Sequence, residues 1–143
     1  MSDAEHFRRL EAIYRTAPCN EPYRPELRVS EGQAELTFAV RPSFFHAAGA
    51  VHGSVYFKAL DDAAFFAANS LVCDVFVLTT SFQLYLMAPV SDGVLRATGR
   101  VVHRARNHFL AESELYDDQG TALARGSGTF VRSRFELVGA RPE

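Results

Sequence analysis

The feature that most limits the possible folds is the segment 50–66, AVHGSVYFKALDDAAFF, which is almost wholly apolar apart from Lys58 and two adjacent aspartates. Its pattern predicts a helix from about residue 54 to residue 70, beginning at a His-Gly-Ser turn. A helix that is apolar nearly all round must be surrounded by protein. We therefore expect a strongly curved sheet to wrap around this central helix.

The rest of the chain predicts a first helix, which Pro18 ends, and a set of strands. The segment 19–30 is predicted to be a loop, and residues 33–40 alternate as a strand does. Four further strands are predicted after the central helix, at residues 76–87, 94–105, 108–117 and 121–134. This order predicts an α+β fold in a single domain spanning 1–143, with a frayed tail at 141–143. The sheet would have open edges, so we expect a partner chain to cover one of them.

Composition narrows the function classes. The chain has 143 residues, a formal net charge of −2 and two cysteines outside any CxxC pattern. The charge argues against a nucleic-acid partner, and the cysteines fit a reducing cytoplasm. The charged N-terminus lacks a secretory pattern, and no apolar run reaches membrane-spanning length, so we expect a cytoplasmic protein with no membrane partner. The histidine spacing, His46 with His52 and His103 with His108, argues against a metal site.

The two adjacent aspartates are not equivalent. Lys58 and Asp62 form an i,i+4 pair, which predicts an ordinary solvated helix face. Asp61 lies off that stripe, with Phe57 and Phe65 four residues away on either side. Desolvation among these rings would raise its pKa towards the range of a general base. The spacing fits equally well a buried aspartate that is hydrogen-bonded to a loop backbone.

The start of the helix has two interpretations as well. Backbone N–H groups in the first helical turn have no internal partner, so those near Gly53 can hold an anion or a developing oxyanion. A glycine would let the ligand approach the backbone closely. Alternatively, Gly53 serves only a tight turn and Ser54 caps the helix.

The run HAAGAVHGSVYFKALDDAAFFAANS, residues 46–70, resembles the hotdog-fold acyl-CoA thioesterases, in particular the group that contains the phenylacetate-degradation thioesterases. That family carries a His-Gly-Gly turn before a long central helix, and an acidic residue nine positions after the histidine. Here the histidine is His52 and the acid is Asp61. The resemblance implies a hotdog fold, a curved antiparallel sheet of five to six strands wrapped around the central helix, with an N-terminal helix.

The resemblance also implies a mechanism. The Gly53 N–H would polarise the thioester carbonyl, and Asp61 would activate water or attack directly. In the family these two groups come from different subunits, so the site would need a homodimer, or a dimer of dimers. A hydroxyl residue eighteen positions after the acid, here Thr79, would orient the water, although a threonine is also common in strands. His52 would orient the turn rather than act as a base.

This sequence departs from the family pattern at two positions. His46 stands where members usually have Asn or Gln, six residues before the histidine, and it could donate a similar hydrogen bond or titrate near neutral pH. Ser54 stands in place of the second glycine, which keeps the helix N-terminus but changes how closely a substrate can approach.

Substrate contacts are predicted in two further places. The side chains of Phe57 and Phe65 would line an apolar acyl pocket. The turn with Arg104, Arg106 and Asn107 resembles the region where relatives hold coenzyme A phosphates, although a solvated hairpin tip would have the same composition.

These expectations favour a thioester hydrolase that converts acyl-CoA to a carboxylic acid and free coenzyme A, with no cofactor apart from the coenzyme A of its substrate. Two other functions remain open. A non-catalytic protein that binds or senses acyl-CoA would keep the pocket, and a hotdog dehydratase or hydratase would need a different local pattern of histidine and acid.

Overall fold

The computed structural model describes residues 1–137, so the predicted frayed tail at 141–143 lies outside the described residues. Two α-helices and six strands follow one another along the chain. They are α1 (Asp3–Thr16), β1 (Glu26–Ser30), β2 (Gln33–Ala39), α2 (Gly53–Asn69), β3 (Val75–Leu86), β4 (Val94–Arg104), β5 (His108–Tyr116) and β6 (Ala122–Glu136). All neighbouring strands are antiparallel, in the order β1-β2-β4-β5-β6-β3. The predicted α+β hotdog arrangement is confirmed.

Helix α1 begins with a reciprocal cap. The Ser2 hydroxyl accepts the Glu5 backbone N–H at 3.2 Å, and the Glu5 carboxylate accepts the Ser2 backbone N–H. Its apolar face buries Leu10 and Tyr14 against the core. At its start the His6 imidazole bonds the Asn69 carbonyl at 2.8 Å, so α1 runs antiparallel along α2.

Strand β1 was missed by the sequence analysis, which predicted a loop over 19–30. Its five residues pair with β2 around a turn at Gly32, where φ is +70°. Leu27 and Val29 are buried and alternate with exposed residues, which is the period-2 pattern of a strand. The prolines and Asn20 upstream of the strand suggested a loop, but they occupy only the approach to β1.

Helix α2 packs its small residues against the middle of the sheet. Ala59, Ala63 and Ala67 are fully buried, and the Ala63 carbonyl lies against Gly99 of β4 at a distance that leaves no room for a side chain. Close approach by small residues brings the helix backbone down onto the sheet, so α2 is enclosed as predicted. Within residues 1–137, no helix has both the length and the hydropathy needed to cross a membrane.

Strand β3 forms one end of the sheet and is twelve residues long. It pairs with β6 along one side, and its other side carries no strand of this chain within residues 1–137. A bulge interrupts its pairing between Thr79 and Ser81. This long edge strand runs beside the flank of α2 that carries Asp61.

Candidate active site

Among residues 1–137, the hydrogen-bond partner of the Asp61 side chain is Thr79, across the gap between α2 and β3. The Thr79 hydroxyl donates a hydrogen bond of 2.9 Å to its Oδ1 atom, so the alternative of a loop-backbone partner is wrong. Asp61 is half-buried, and burial is the main cause that raises its pKa, to about 6. The negative charge of Asp62 raises the pKa further, whereas the Thr79 hydroxyl and the Lys58 ammonium lower it.

Aromatic rings flank this carboxylate as the helical spacing predicts. The Phe57 ring packs edge-on against Phe82 of β3, with ring centroids 5.6 Å apart. The Phe65 ring packs edge-on against Phe130 of β6 at 6.2 Å. Phe57 retains 38% of its surface exposed, whereas Phe130 is fully buried. The apolar wall near Asp61 is therefore closed towards the C-terminal end of α2 and open towards its start.

Asp62 lies on the opposite flank, under α1. Its pairing with Lys58 is confirmed, with Nζ 2.8 Å from Oδ2. The predicted solvated face is wrong, because the side chains of Lys58 and Asp62 are only 21% and 18% exposed. The Tyr14 hydroxyl of α1 donates to Asp62 at 2.7 Å, and the Lys58 ammonium lies between the rings of Tyr14 and Tyr23. Burial raises the pKa of Tyr14, which therefore stays a donor.

The N-terminus of α2 is capped by His52. Its Nδ1 atom accepts the Ser54 backbone N–H at 3.0 Å and lies 2.8 Å from the Ser54 hydroxyl. The alternative in which Ser54 caps the helix is therefore wrong. With Nδ1 occupied as an acceptor, the ring proton belongs on Nε2. His52 shapes the turn that Gly53 follows.

His46 lies next to this turn. Its Nδ1 atom accepts the Ala48 backbone N–H at 3.0 Å, and its ring lies edge-on to that of His52, with centroids 6.4 Å apart. Both imidazoles are exposed, and because Nδ1 accepts a backbone N–H in each ring, the ring proton belongs on Nε2. The helix start therefore carries two further potential donors beside its backbone N–H groups.

Gly53 is the first residue of α2 and is half-buried. A Cβ atom added here would lie 3.1 Å from Cδ1 of Leu86, at the far end of β3. Leu86 is itself 53% exposed, so the space in front of Gly53 opens to the surface. The absence of a side chain at Gly53 leaves room for a ligand to approach the backbone from that side.

Within one chain, the candidate residues fall into two groups rather than one site. His46, His52, Gly53 and Ser54 lie at the helix start, whereas Asp61, Thr79, Phe57 and Phe65 lie at mid-helix. Gly53 and Asp61 are eight residues apart on one helix, which corresponds to about 12 Å along its axis. One carbonyl group cannot touch both.

The predicted phosphate-binding turn lies farther away. Arg104, Arg106 and Asn107 are exposed in the hairpin between β4 and β5. The Asn107 carbonyl accepts the Arg132 backbone N–H at 3.4 Å, and the Arg132 guanidinium bonds both carboxylate oxygens of Asp74. The structure places this turn beyond the C-terminal end of α2 and does not bring it into contact with Asp61 or Gly53.

In the part of the chain that the structure describes, neither a metal-binding cluster nor a groove on the outer sheet face adds a residue to the two groups around Gly53 and Asp61. Within residues 1–137, no group of three or more His, Cys, Asp or Glu side chains converges to hold a metal ion. A polar groove of about 760 Å³ crosses the sheet face that points away from α2, lined by residues that include Arg100, Glu112 and Arg125. Asp61 is not part of its lining.

The sequence pattern of the thioesterase superfamily matches residues 48–124, more than half of the chain. The chain belongs to the thioesterase superfamily. The matched range contains both groups of candidate residues except His46. Membership supports a hydrolase of the thioesterase or esterase kind.

The chain is also similar in sequence to a curated protein and in fold to solved structures. A protein of Saccharolobus solfataricus named "Putative esterase" is 23% identical over 104 residues, 73% of this chain and 69% of its own length. The Escherichia coli PaaI protein of the phenylacetic acid degradation operon is 20% identical, with a TM-score of 0.84 over 94% of this chain and 97% of its own. A variant of PaaI from Thermus thermophilus is 21% identical, with a TM-score of 0.74 over 82% of this chain and 100% of its own.

The packing of Phe82 on two glycines of β6 was not predicted from the sequence. The Phe82 ring lies over Gly126 and Gly128 of β6, where an added Cβ would come within 2.6 Å and 2.5 Å of ring atoms. The signal was present in the Gly-Ser-Gly run of β6, because glycines at i and i+2 share one face of a strand. The sequence does not reveal the bulge in β3, however, so it cannot predict that Phe82 lies on that face.

Proposed function

We propose that the protein is an acyl-CoA thioesterase that hydrolyses the thioester bond to a carboxylic acid and free coenzyme A. The observation that carries the proposal is the Asp61 carboxylate, half-buried and oriented by the Thr79 hydroxyl. Its raised pKa of about 6 leaves it mostly ionised at neutral pH, yet a better proton acceptor than an exposed aspartate. No metal or organic cofactor is needed for this chemistry.

The reaction follows from these groups. Asp61 removes a proton from a water molecule held near Thr79, and the water oxygen attacks the thioester carbonyl carbon. The carbonyl oxygen becomes an oxyanion, which the Gly53 N–H at a helix start stabilises. The C–S bond then breaks, the acid is released, and the proton on Asp61 passes to the leaving coenzyme A thiolate. Direct attack by the carboxylate, through an anhydride that water then cleaves, uses the same two groups.

The proposed site needs a second copy of the chain. Gly53 and Asp61 lie too far apart on α2 to serve one carbonyl, so Asp61 of one subunit would face Gly53 of the partner subunit. The open edge of β3 supports this arrangement, because a twelve-residue unpaired strand beside Asp61 is a natural surface for a symmetric partner. We therefore propose a homodimer, with pairing of dimers as a further possibility.

Substrate contacts follow the same arrangement. The exposed ring of Phe57, backed by Phe82, offers an apolar surface for the acyl group next to Asp61. The Nε2 donor of His46 would serve the carbonyl in place of the amide that family members usually have. Arg104, Arg106 and Asn107 would bind the coenzyme A phosphates, because guanidinium groups suit phosphate oxygens.

The test is a thiol-release assay over short, medium, aromatic and long acyl-CoA substrates. We expect turnover by the wild type and a loss of at least about a hundredfold in Asp61→Asn, which should still gain thermal stability from an acyl-CoA. Glu35→Gln is the matched control, because it makes the same change on the exposed outer face of β2 and should leave the rate unchanged. Equal rates for Asp61→Asn and the wild type would remove Asp61 from the mechanism.

A second function has one observation in its favour. Both departures from the family pattern, His46 and Ser54, lie at the helix start where the carbonyl would bind. A protein that binds or senses acyl-CoA without hydrolysing it would show ligand-induced stabilisation and no thiol release from any substrate in the panel.

A further inference from the structure

The bulge in β3 decides which side chains face α2. Thr79 pairs with Phe130 and Ser81 pairs with Thr129, so Thr80 is an extra residue in β3. An added residue of this kind shifts the alternation of side chains by one position. Thr79 and Phe82 both face the helix, three positions apart rather than the usual two.

The side chains of Thr79 and Phe82 both contact residues of α2. The Thr79 hydroxyl bonds Asp61, and the Phe82 ring packs on Phe57 above Gly126 and Gly128. In a regular strand with Thr79 facing α2, Phe82 would point to the outer face and Ser81 would point inward. The bulge is therefore the device that lets β3 offer a hydroxyl and an aromatic ring to the same flank of α2.

Three hydroxyl groups hold the bulge on the outer face of the sheet. The Thr129 hydroxyl lies 2.6 Å from the Ser81 hydroxyl and 2.8 Å from the Thr80 hydroxyl, and the Thr80 hydroxyl donates to the Thr129 carbonyl at 3.1 Å. One arrangement lets each hydroxyl donate once, from Ser81 to Thr129, from Thr129 to Thr80 and from Thr80 to the backbone. The Thr129 hydroxyl lies within hydrogen-bond distance of both the Thr80 and the Ser81 hydroxyls.

We propose that Thr129 is a positioning residue, whose hydroxyl holds the β3 bulge so that the Thr79 hydroxyl reaches Asp61. The inference rests on the proposed function only in taking Asp61 as the group that activates water. Thr129 itself lies on the opposite side of the sheet from Asp61 and touches no reacting atom. Thr129 would act indirectly, because its contact with Thr80 fixes the backbone of the neighbouring residue, Thr79.

A merely structural role would give different results. If the three hydroxyls only stabilise an exposed sheet edge, their loss would lower the free energy of unfolding and leave the Asp61 carboxyl as it was. If they hold the bulge for Thr79, their loss would weaken the bond from Thr79. Because that bond favours the charged carboxylate, the pKa of Asp61 would then rise.

The experiment compares four proteins, which are the wild type, Thr129→Val, Thr129→Ser and Thr98→Val. Valine keeps the shape and strand preference of threonine but has no hydroxyl, whereas serine keeps the hydroxyl. Thr98 is a matched control because it faces the same side of the sheet on β4, away from the bulge. The readout is the pH titration of the Asp61 carboxyl carbon by NMR, with the signal assigned through Asp61→Asn.

We expect Thr129→Val to titrate at higher pH than the wild type, and Thr129→Ser and Thr98→Val to titrate as the wild type does. In thiol release, Thr129→Val should lose about tenfold in kcat with KM changed by less than about twofold. An unchanged Asp61 titration in folded Thr129→Val would overturn the inference. The titration needs no turnover, so a wild type that hydrolyses no acyl-CoA would reject the proposed function and still leave this test intact.

Discussion

The Thr79 hydroxyl and the Asp61 carboxylate meet at 2.9 Å between a buried helix and an edge strand, and this contact links the fold to the proposed chemistry. Burial raises the carboxyl pKa to about 6, and the hydroxyl limits that rise by stabilising the charged form. The two largest effects on the protonation state of Asp61 therefore oppose each other, and smaller effects come from the charges of Asp62 and Lys58.

The pH dependence of turnover should report this balance. Because the carboxylate is the active form in the proposed reaction, kcat/KM should fall about tenfold per pH unit below about pH 6. Thr79→Val should move this acidic limb to higher pH, since a stabilising donor is lost. Asp62→Asn should move it to lower pH, since a neighbouring negative charge is lost. If the pH at which kcat/KM falls moves in the same direction in both variants, or does not move, this explanation of the Asp61 pKa is wrong.

The same carboxylate should cost stability. A folded-state pKa above the unfolded value means that the folded chain binds the proton more tightly, so stability falls as pH rises from about 4 to about 6. Asp61→Asn removes this cost while Thr79 can still donate to the amide oxygen. We expect the variant to be more stable than the wild type at pH 8, by about 1 kcal/mol after allowance for solvent screening. Thermal unfolding at pH 8 and at pH 4 checks it, because the gain should vanish at pH 4.

The sequence allowed much of this framework to be predicted, for identifiable reasons. The apolar α2 required an enclosing sheet, and helical spacing separated Asp61 from Asp62. One feature escaped because it depends on a tertiary contact. Tyr14 reaches Asp62 only because α1 lies along α2, and that packing turned a predicted solvated face into a covered one.

The bulge in β3 could not be predicted from the sequence. The twelve residues of β3 alternate imperfectly, and only the pairing with β6 identifies Thr80 as the extra residue. The spacing between Gly53 and Asp61 was known from the sequence, and the open edges of the predicted sheet together with the family resemblance led us to expect a partner chain. The unpaired edge of β3 and the distance between Gly53 and Asp61 along α2 support the proposal of a second chain.

Gly99 should tolerate no side chain. Its place in β4 lies directly under the Ala63 backbone of α2, and an added Cβ would overlap the Ala63 carbonyl. Because two backbone segments must separate to relieve this overlap, Gly99→Ala should destabilise the fold by at least about 2 kcal/mol. Urea unfolding measures the loss. A change below about 0.5 kcal/mol would mean that α2 does not press on the sheet at this point.

Ser113 should respond in the opposite way, although it pairs with Gly99 across the strands and faces the same helix. Its side chain is 2% exposed, and its hydroxyl has no hydrogen-bond partner among the described residues. A buried hydroxyl without a partner is unfavourable, so Ser113→Ala should leave stability unchanged or raise it by up to about 1 kcal/mol. The same urea measurement applies, and a loss above about 1 kcal/mol would show that the hydroxyl has a partner in the folded protein.

The Gly53 N–H can be removed without disturbing the helix. Gly53 is the first residue of α2, a position where proline is well tolerated, and His52 before it has the extended conformation that a following proline requires (φ −66°, ψ 146°). Gly53→Pro should therefore fold and lose about a hundredfold or more in kcat, because the oxyanion loses its donor. Gly53→Ala is the control, since it keeps the N–H and needs only a small shift of the Leu86 side chain.

Mixing Gly53→Pro with Asp61→Asn then tests whether the site is shared. In a symmetric dimer whose sites each take Asp61 from one subunit and Gly53 from the other, a mixed dimer holds one intact site and one with both changes. Random reassembly of two inactive proteins should thus restore about a quarter of wild-type activity per dimer. If both groups came from one chain, every site would carry one lesion and the mixture would stay inactive. The thiol-release rate after unfolding and joint refolding decides between the two arrangements.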